Sequence, residues 1–375
     1  MLPFARMLAY GNKIEVNKIK KIVNCVYLEM ILTENGTLYA HGEDSSYSAG
    51  QSTPFSAYGE LKTISENVQD VWLGSYSVII KDGKIYGSGP TMSFTKSNAI
   101  QQGYTDWSGF FAGIDVTQIK KMLCGYTTFV LMNDGTLYGR GLNRNGCLGL
   151  GHKNFVSQWT KLDTEVDSIY GHYIGDSIFK VKSNGTVWGA GANNSYQIKA
   201  TTGDATTFVP LFDNIPYDIT FCVGFGIGFV MGTTDNKIYV TGTTLSGTGK
   251  HSKIFDINFT IGDMSNLYPK YSPFNTGSVI FLVNSDTNKL MSTGYTPFTG
   301  SSVSSIPFFD VFQECQFPDF NINLHTEGST WWSTFYDDTN IWMNGQPPSN
   351  LNGRNASMCS IPLSMTFTKQ IDLPF

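Results

Sequence analysis

Hydrophobic and polar positions recur along the chain at a fixed pitch, and each recurrence has the pattern of a β-hairpin. A short apolar segment runs into a polar turn such as Asn-Gly or Asp-Gly, and a second apolar segment follows. This arrangement is typical of hairpins rather than of helices. Each copy ends in a glycine, and these closing glycines are Gly42, Gly89, Gly141, Gly191, Gly242, Gly294 and Gly345.

The closing glycines are 47 to 52 residues apart, with a mean of 50.5. Further strand-like segments lie upstream of the hairpins, such as 71–74 and 122–125. Each repeat therefore holds four short strands, and four-stranded units repeated around an axis form a propeller. The sequence predicts an all-β fold, a seven-bladed β-propeller of four-stranded blades, which forms a single domain over residues 1–375.

Local residue choices add detail to each hairpin. We expect two-residue type I′ turns, because Asn-Gly and Asp-Gly tolerate the positive φ that both central residues need. Asn236 and Asn288 take the place of the turn glycine in the fifth and sixth copies. A large side chain recurs three residues before the closing glycines, and we expect it to pack between blades. The closing glycine itself is expected where backbone or a ring approaches closely.

The two ends of the chain predict how the ring closes. Residues 365–372 resemble residues 158–163, which precede a blade in the interior of the chain. No blade follows the C-terminal copy, and the first blade begins near Lys18 without such a lead-in. We therefore expect the N- and C-terminal segments to complete one blade between them and so close the ring.

The third copy carries a longer signature. It reads from Val130 through the hairpin to a tail of the form Gly-x-Asn-x-x-Gly-x-Leu-Gly over residues 141–149. This resembles the repeat of the regulator-of-chromosome-condensation family, also described as alpha-tubulin-suppressor-like. The resemblance implies a seven-bladed propeller. It leaves function open, because the family includes a GTPase exchange factor, an enzyme inhibitor and a photoreceptor with a tight tryptophan cluster. The seven tryptophans of this chain are scattered in sequence.

Composition narrows the function classes. Charged residues make up 15% of the chain and the net charge is −5, which argues against nucleic acid as the main ligand. No apolar run is long enough for membrane insertion. The N-terminus lacks the pattern of a signal peptide, so we expect synthesis in the cytoplasm. The six cysteines form no CxxC pair, and we expect buried thiols without disulfides.

Candidate chemistry is sparse. The five histidines have no metal-ligand spacing, and no Walker loop or Gly-x-Ser-x-Gly elbow is present. We therefore predict no catalytic residue, no metal and no cofactor, and expect the chain not to be an enzyme. A pair of carboxylates at the mouth of a propeller channel, as in glycosidases, stays an alternative.

The loops after the closing glycines are expected to lie together on one face of the ring. They are rich in Tyr, Ser, Gly and Asn, a composition shared with antibody paratopes. The predicted binding residues in these loops are Tyr47, Tyr196, Tyr295, Phe298 and Arg354.

Together these features predict a protein-binding or assembly scaffold. We expect a structural component of a phage or other viral particle, located in the virion, with a role in the tail, in capsid decoration or in host attachment. Its partners would be other proteins of a large assembly, or a cell-surface glycan or receptor. Two alternatives stay open: a regulatory propeller that binds a small GTPase or inhibits an enzyme, and a carbohydrate-binding propeller.

Overall fold

A computed structural model gives the fold of the chain. The residues that it describes are 18–25, 28–44, 46–171, 176–212, 218–225, 228–242, 252–264, 267, 279–294, 312–315, 317, 320–321, 323–328, 332–338, 340–345 and 368–372. They are almost entirely strands and the turns between them, as the sequence predicts.

The strands of the first half of the chain form three sheets of four strands each. The first sheet contains β1 (Ile19–Asn24), β2 (Leu28–Thr33), β3 (Leu38–Asp44) and β4 (Phe55–Ser65). The second contains β5 (Val68–Leu73), β6 (Ser77–Lys81), β7 (Lys84–Pro90) and β8 (Ile100–Asp106). The third contains β9 (Ile119–Cys124), β10 (Thr127–Met132), β11 (Leu137–Gly141) and β12 (Val156–Asp163). A one-turn helix, α1 (Met92–Thr95), lies between β7 and β8, and a 3-10 turn (Val116–Gln118) precedes β9.

Four more sheets follow. The fourth contains β13 (Val166–Gly171), β14 (Ser177–Lys182), β15 (Val187–Gly191) and β16 (Ala205–Pro210). The fifth contains β17 (Ile219–Phe225), β18 (Gly228–Thr233), β19 (Lys237–Thr241) and β20 (Ser252–Asp256). The sixth has three strands among the described residues: β21 (Val279–Asn284), β22 (Lys289–Gly294) and β23 (Gln313–Glu314). The last contains β24 (His325–Gly328), β25 (Trp332–Tyr336), β26 (Asn340–Gly345) and β27 (Thr368–Asp372).

Every sheet is an antiparallel meander in which the spatial order of the strands is their order in the chain. The second strands are covered on both sides, and β2 and β10 are buried at all six positions. This is why apolar residues follow one another directly in these strands, as in Met30–Leu32 and Phe129–Met132, instead of alternating with polar residues. The outer strands differ: every residue of β12 is at least partly exposed.

The hydrophobic core lies between neighbouring sheets. The first strands of successive sheets contact one another in the order β1, β5, β9, β13 and β17. One apolar cluster joins residues of the first and second sheets, for example Met30 with Val71, and another joins the third and fourth, for example Leu131 with Ile169. A larger cluster spans the fifth to last sheets, where the rings of Phe281 and Phe335 meet edge to face at 5.3 Å.

Three of the recurrent large side chains pack between sheets, as predicted. Tyr86 contacts the cluster shared with the first sheet, and Tyr138 contacts the cluster shared with the second. Tyr239 is buried in the cluster between the fourth and fifth sheets. Each of these side chains therefore stands on the junction with the preceding sheet.

The hairpin turns differ from the prediction in three of the copies that carry a turn glycine. Only Asp82 and Gly83 both have positive φ, as a type I′ turn requires. In the first copy Gly36 alone is left-handed, its N–H donates to Thr33 O, and Thr33 N–H donates to Thr37 O. This is a type I turn with a G1 bulge. The first copy has one residue more in its loop than the second, and the third and fourth copies behave as the first does. Asn236 and Asn288 are left-handed, as predicted.

The closing glycines allow close approach of the backbone. Gly141 has φ 126°, and a Cβ there would lie 2.5 Å from Tyr126 O. Gly191 has φ 110°, and a Cβ there would lie 2.3 Å from Asp176 O. Any side chain would therefore have to displace the turn between the first two strands of a sheet.

The predicted sharing of one blade between the chain ends is wrong for the described residues. β27 pairs with β26, so the C-terminal strand completes the same sheet as β24 and β25. β1 belongs to the first sheet, whose four strands are consecutive. The physical reason is that each end segment pairs with the strand next to it in its own repeat, β27 with β26 and β1 with β2, so neither crosses to the other sheet. Residues 1–17 lie outside the described part of the chain.

The first and last sheets nevertheless contact each other, and we call this junction the seam. Ile19 N–H donates to Asp338 O at 2.8 Å. Val68 N–H makes the matching bond to Gly36 O between the first and second sheets, also at 2.8 Å. Ile341 of the last sheet packs against Ile22 of the first. The seam is therefore built like an interior junction.

A buried carboxylate spans the seam. The Glu29 side chain is fully buried, and its Oε1 lies 2.8 Å from Nε2 of His41 in the same sheet. Its Oε2 accepts a hydrogen bond from Thr334 Oγ1 of the last sheet at 2.8 Å. Burying a carboxylate costs free energy unless it is hydrogen-bonded, so this network ties the two sheets together.

Replacing Thr334 by valine keeps the shape of the side chain and removes the donor to the buried carboxylate. We expect the free energy of unfolding to fall by about 2 kcal/mol, measured by urea denaturation. Thr207→Val, at an exposed position of β16, is the control and should change it by less than about 0.5 kcal/mol. Equal effects of the two substitutions would contradict this account of the seam.

Candidate functional site

In a four-stranded meander, the connection between strands one and two and that between strands three and four leave the sheet at the same end. We call this end of the sheets the loop face. The described loops between third and fourth strands are 46–54, 91–99, 142–155 and 192–204. They are the longest described connections within the sheets, and they hold the predicted binding residues that the structure describes.

Three of these loops are organised by one anchoring side chain each. Leu148 N–H donates to Asn143 Oδ1 at 2.9 Å, and Ile198 N–H donates to Asn193 Oδ1 at 2.9 Å. In the first sheet Ala49 N–H donates to Asp44 Oδ2 at 2.8 Å. The anchor thus always bonds the residue five positions later. Burial raises the pKa of the Asp44 carboxyl, and the hydrogen bonds from the backbone oppose that shift.

The asparagine anchors also use their amide groups as donors. Asn143 Nδ2 donates to His152 O at 2.8 Å, and Asn193 Nδ2 donates to Thr201 O at 2.7 Å. Both side chains are buried. Each anchor therefore ties the start of its loop to the part that returns to the sheet. The sequence suggested that only the third copy keeps the family tail, and the anchoring role of Asp44 and Asn193 was missed.

The loops also contact the next sheet in the chain. A Cβ on Gly146 would lie 2.7 Å from the Cα of Thr206, and Gly151 N–H donates to Thr206 O at 2.8 Å. In the first sheet, Tyr47 O accepts a bond from Ser88 Oγ at 2.6 Å. The loops are therefore held at their base and along one side by contacts within the chain itself.

Two predicted binding residues occupy a left-handed position in these loops. Three residues after the anchor, Tyr47 has φ 62° and Tyr196 has φ 55°, where the third sheet has Gly146 with φ 76°. A bulky residue with positive φ is rare and costs on the order of 1–3 kcal/mol. Both tyrosines are half-buried.

The structure does not bring the predicted residues into one cluster. Tyr47 belongs to the first sheet and Tyr196 to the fourth, with the second and third sheets between them. Tyr295, Phe298 and Arg354 lie outside the described residues. The candidate site is therefore an extended face rather than a pocket.

Cations on this face are stacked on aromatic rings. Arg144 lies over Tyr126 with its guanidinium carbon 5.8 Å from the ring centroid. The Lys96 Nζ lies 5.9 Å from the centroid of Phe155. Arg144 and Lys96 are exposed, and the two rings are half-buried. Such pairs are attractive by about 0.5–1 kcal/mol at exposed sites and favour the orientation in which the cation lies over the ring.

Beneath the loop face, a third cation joins the second and third sheets. Arg140 Nη1 donates to Phe110 O at 2.9 Å, and its Nη2 donates to Phe94 O at 3.2 Å. Its guanidinium carbon lies 5.0 Å from the centroid of Phe94 and 5.6 Å from that of Trp159. Burial lowers the pKa of Arg140.

The same junction gathers three of the scattered tryptophans. Trp72, Trp107 and Trp159 lie in or against one apolar cluster. Separation in sequence hid this, because the residues come from β5, from the segment after β8 and from β12. The only sequence signal that could have found it is the aromatic density of residues 104–111.

Among the described residues, no group of three or more His, Cys, Asp or Glu side chains is placed to hold a metal ion. His41 is buried against Glu29, and His325 stacks on Tyr336 with ring centroids 5.4 Å apart. No described helix has the length and apolarity needed to cross a membrane.

Known structures with the same architecture define the class of fold. The chain is similar to human WBSCR16, with a TM-score of 0.53 and 13% identity over 95% of this chain and 83% of that one. It is similar to Prp20p from Saccharomyces cerevisiae, with a TM-score of 0.56 and 12% identity over 83% and 80%. It is also similar to yeast RCC1 (Prp20) bound to Kap60, with a TM-score of 0.51 and 10% identity over 95% and 75%. The fold is a β-propeller of the RCC1-like kind.

No family model matches the sequence, and no curated protein matches it. At 10–13% identity, the structural similarity establishes the fold and leaves function to be argued from the site.

The anchors can be tested at Asn143. Asn143→Ala leaves the buried Leu148 N–H and two carbonyl groups without their partner, so we expect a loss of about 3 kcal/mol in unfolding free energy. Hydrogen exchange at Leu148 should accelerate. Asn143→Asp keeps the acceptor, as Asp44 does in the first sheet, and should retain slow exchange at Leu148. Unchanged exchange in the alanine variant would refute the anchoring role.

The thiols can be tested by chemical labelling. Burial raises the pKa of Cys147 and of Cys315 to about 12 and raises that of Cys124 further. At about pH 8 these thiols should stay protonated and unreactive. In a Cys359→Ser background, we expect a thiol-specific reagent to label the half-buried Cys25 first and the other four only after unfolding. Prompt labelling of several thiols in the native protein would contradict the burial described above.

Proposed function

We propose that this chain is a non-enzymatic protein-binding scaffold, a single propeller domain of seven blades whose partner docks on the loop face. The observation that carries the proposal is the pair of half-buried tyrosines, Tyr47 and Tyr196, held with positive φ by anchored loops. Strained positions that the surrounding structure enforces are found preferentially at functional sites.

The physical advantage of such a surface is preorganisation. A loop that becomes ordered only on binding loses conformational entropy, and this loss weakens the affinity. Here the hydrogen bonds of Asp44, Asn143 and Asn193 order the loops when the chain folds, so binding does not have to order them. Tyrosine then offers a large contact area with few rotatable bonds, which is why it is enriched at binding hot spots.

A finer proposal concerns where the scaffold works. We propose a structural component of a phage or other viral particle, found in the virion, with a role in the tail, capsid decoration or host attachment. The low charged fraction of 15% and the Tyr, Ser, Gly and Asn loops support a protein that is built into a large assembly. Co-purification at fixed ratio with tail or capsid proteins from the native source would support this location, and recovery with a GTPase or a soluble enzyme would speak against it.

A regulatory propeller is the second candidate, and one observation favours it. One of the similar structures is described together with the binding of Prp20p to Gsp1p and histones. That likeness concerns the fold, so the proposal stands on analogy. Nucleotide-dependent capture of a GTPase would favour it over assembly into a particle.

The binding surface can be tested with the double variant Tyr47→Ala, Tyr196→Ala. We expect capture of the co-purifying partner to fall at least tenfold while the melting temperature stays within a few degrees, since neither side chain belongs to the core between the sheets.

Ile254→Ala is the matched control, because this exposed apolar side chain lies in the middle of the outer strand β20 and not in a loop of the loop face. The control should bind normally. Normal capture by the tyrosine variant, or equal loss in both variants, would refute docking through these tyrosines.

A further inference from the structure

We propose that the loop face over the second to fourth sheets binds an acidic segment of the partner protein. This inference rests on the proposed function and specifies the chemistry of the partner. The surface, which we call the basic sector, is defined by four cations, Lys96, Arg144, Lys153 and Lys199, with the buried cation Arg140 beneath them.

The two outermost cations lie over aromatic rings instead of in direct ion pairs with any described carboxylate. Arg144 is held over Tyr126, and Lys96 is held over Phe155. Among the described residues, neither forms an ion pair with a carboxylate. A ring face orients a cation while leaving its N–H groups available to an incoming carboxylate.

The backbone supports this presentation. Lys96 caps α1 in the left-handed conformation, with its N–H bonded to Met92 O at 3.1 Å. Arg144 follows directly after the buried anchor Asn143. Both cations therefore project from segments whose backbone is fixed by hydrogen bonds.

A buried charge strengthens the sector from below. Arg140 is 7% exposed, and its described hydrogen bonds go to two carbonyl groups rather than to a carboxylate. A positive charge in low-dielectric surroundings is weakly screened, so it adds to the potential at the surface above it.

The remaining charges leave the sector positive. Lys153 Nζ pairs with Asp204 Oδ2 at 2.6 Å, and Lys199 Nζ donates to Asp204 O at 3.0 Å. Asp176 is the second carboxylate, and it lies close enough to Arg144 for the two charges to interact. Five cations against two carboxylates contrast with the net charge of −5 of the whole chain. The excess of cations on this part of an acidic protein favours an anionic partner.

A protein segment fits the sector better than nucleic acid does. Nucleic-acid surfaces neutralise many phosphates and so carry long basic stripes, usually on a basic domain. Here the cations alternate with two carboxylates and with Tyr, Phe and Asn side chains. That mixture suits a short segment in which Asp or Glu side chains alternate with neutral residues.

The test uses the full chain and a fluorescein-labelled peptide in which eight glutamates alternate with glycine. Binding is followed by fluorescence anisotropy at low and at moderate salt. We expect Lys96→Gln with Arg144→Gln to raise the Kd of the peptide at least fivefold. The control variant, Lys84→Gln with Lys161→Gln, removes the same charge from exposed positions at the opposite end of the sheets and should change Kd less than twofold.

Arg144→Lys, which keeps the charge, should retain most of the affinity. Added salt should weaken binding of the wild-type chain, because exposed charges are screened over about 10 Å at 0.1 M salt. Thermal melts should be the same for all variants, since the substituted side chains are exposed.

Several outcomes would overturn the proposal. These are no binding of the peptide by the wild-type chain, an equal loss in the control variant, or tighter binding of a labelled oligo-dT at the same salt. Capture of the native partner separates this proposal from the previous one. If capture is lost in the Tyr47→Ala, Tyr196→Ala variant but kept in the Lys96→Gln, Arg144→Gln variant, the scaffold function stands and the acidic segment is refuted.

Discussion

The structure depends on burying both faces of each four-stranded sheet. A sheet of this kind carries apolar side chains on two sides, and none of its own strands can cover them. In this chain each sheet is covered by the preceding and the following one, so the apolar clusters lie at the junctions rather than inside any sheet. No sheet has a core of its own, and the folding of each depends on its neighbours.

The same requirement explains the seam. The first and last sheets would each expose one apolar face if the row of sheets stayed open. Ile341 packing on Ile22 removes that exposure, and the bond from Ile19 to Asp338 repeats the backbone bond of an interior junction. The network around Glu29 is the addition particular to this place. A buried carboxylate shared between distant parts of the chain favours one pairing of sheets over others, since any other neighbour would leave it without its donor.

The sequence predicted most of the fold because the repeat is defined by turn residues and glycines whose conformational preferences are local. Turn residues such as Gly83 and Asn236 and the glycines that close each hairpin act through their own backbone angles, which short-range patterns report well. The predicted type I′ turn of the first copy was wrong because one additional residue in the loop produces a type I turn with a G1 bulge instead. The prediction that the chain ends share one blade was wrong for a different reason. The similarity between residues 365–372 and 158–163 indicates that both are outer strands, but it does not indicate which sheet each of them joins.

The candidate site was less accessible to sequence reasoning. Tyr47 and Tyr196 could be named from composition, but their left-handed backbone and the anchors beneath them depend on contacts made through the fold. The stacking of Lys96 on Phe155 joins residues of different sheets, so no pattern of neighbouring residues in the sequence predicts it. The tryptophans at the junction of the second and third sheets were hidden for the same reason. Sequence patterns report interactions between residues that are close along the chain. They do not report contacts between residues that only the fold brings together.

The exchange between tyrosine and glycine at one loop position has a consequence for how this protein can change. Where the third sheet has Gly146, the first and fourth have tyrosines under backbone strain. Glycine at either position would relax the loop and make the protein more stable, yet it would remove the half-buried ring that is proposed to contact the partner. Selection for stability alone would therefore erase these tyrosines. Substitutions selected for heat resistance should therefore occur at the same positions as substitutions that abolish partner binding. The positive φ at these positions sets this trade-off between stability and binding.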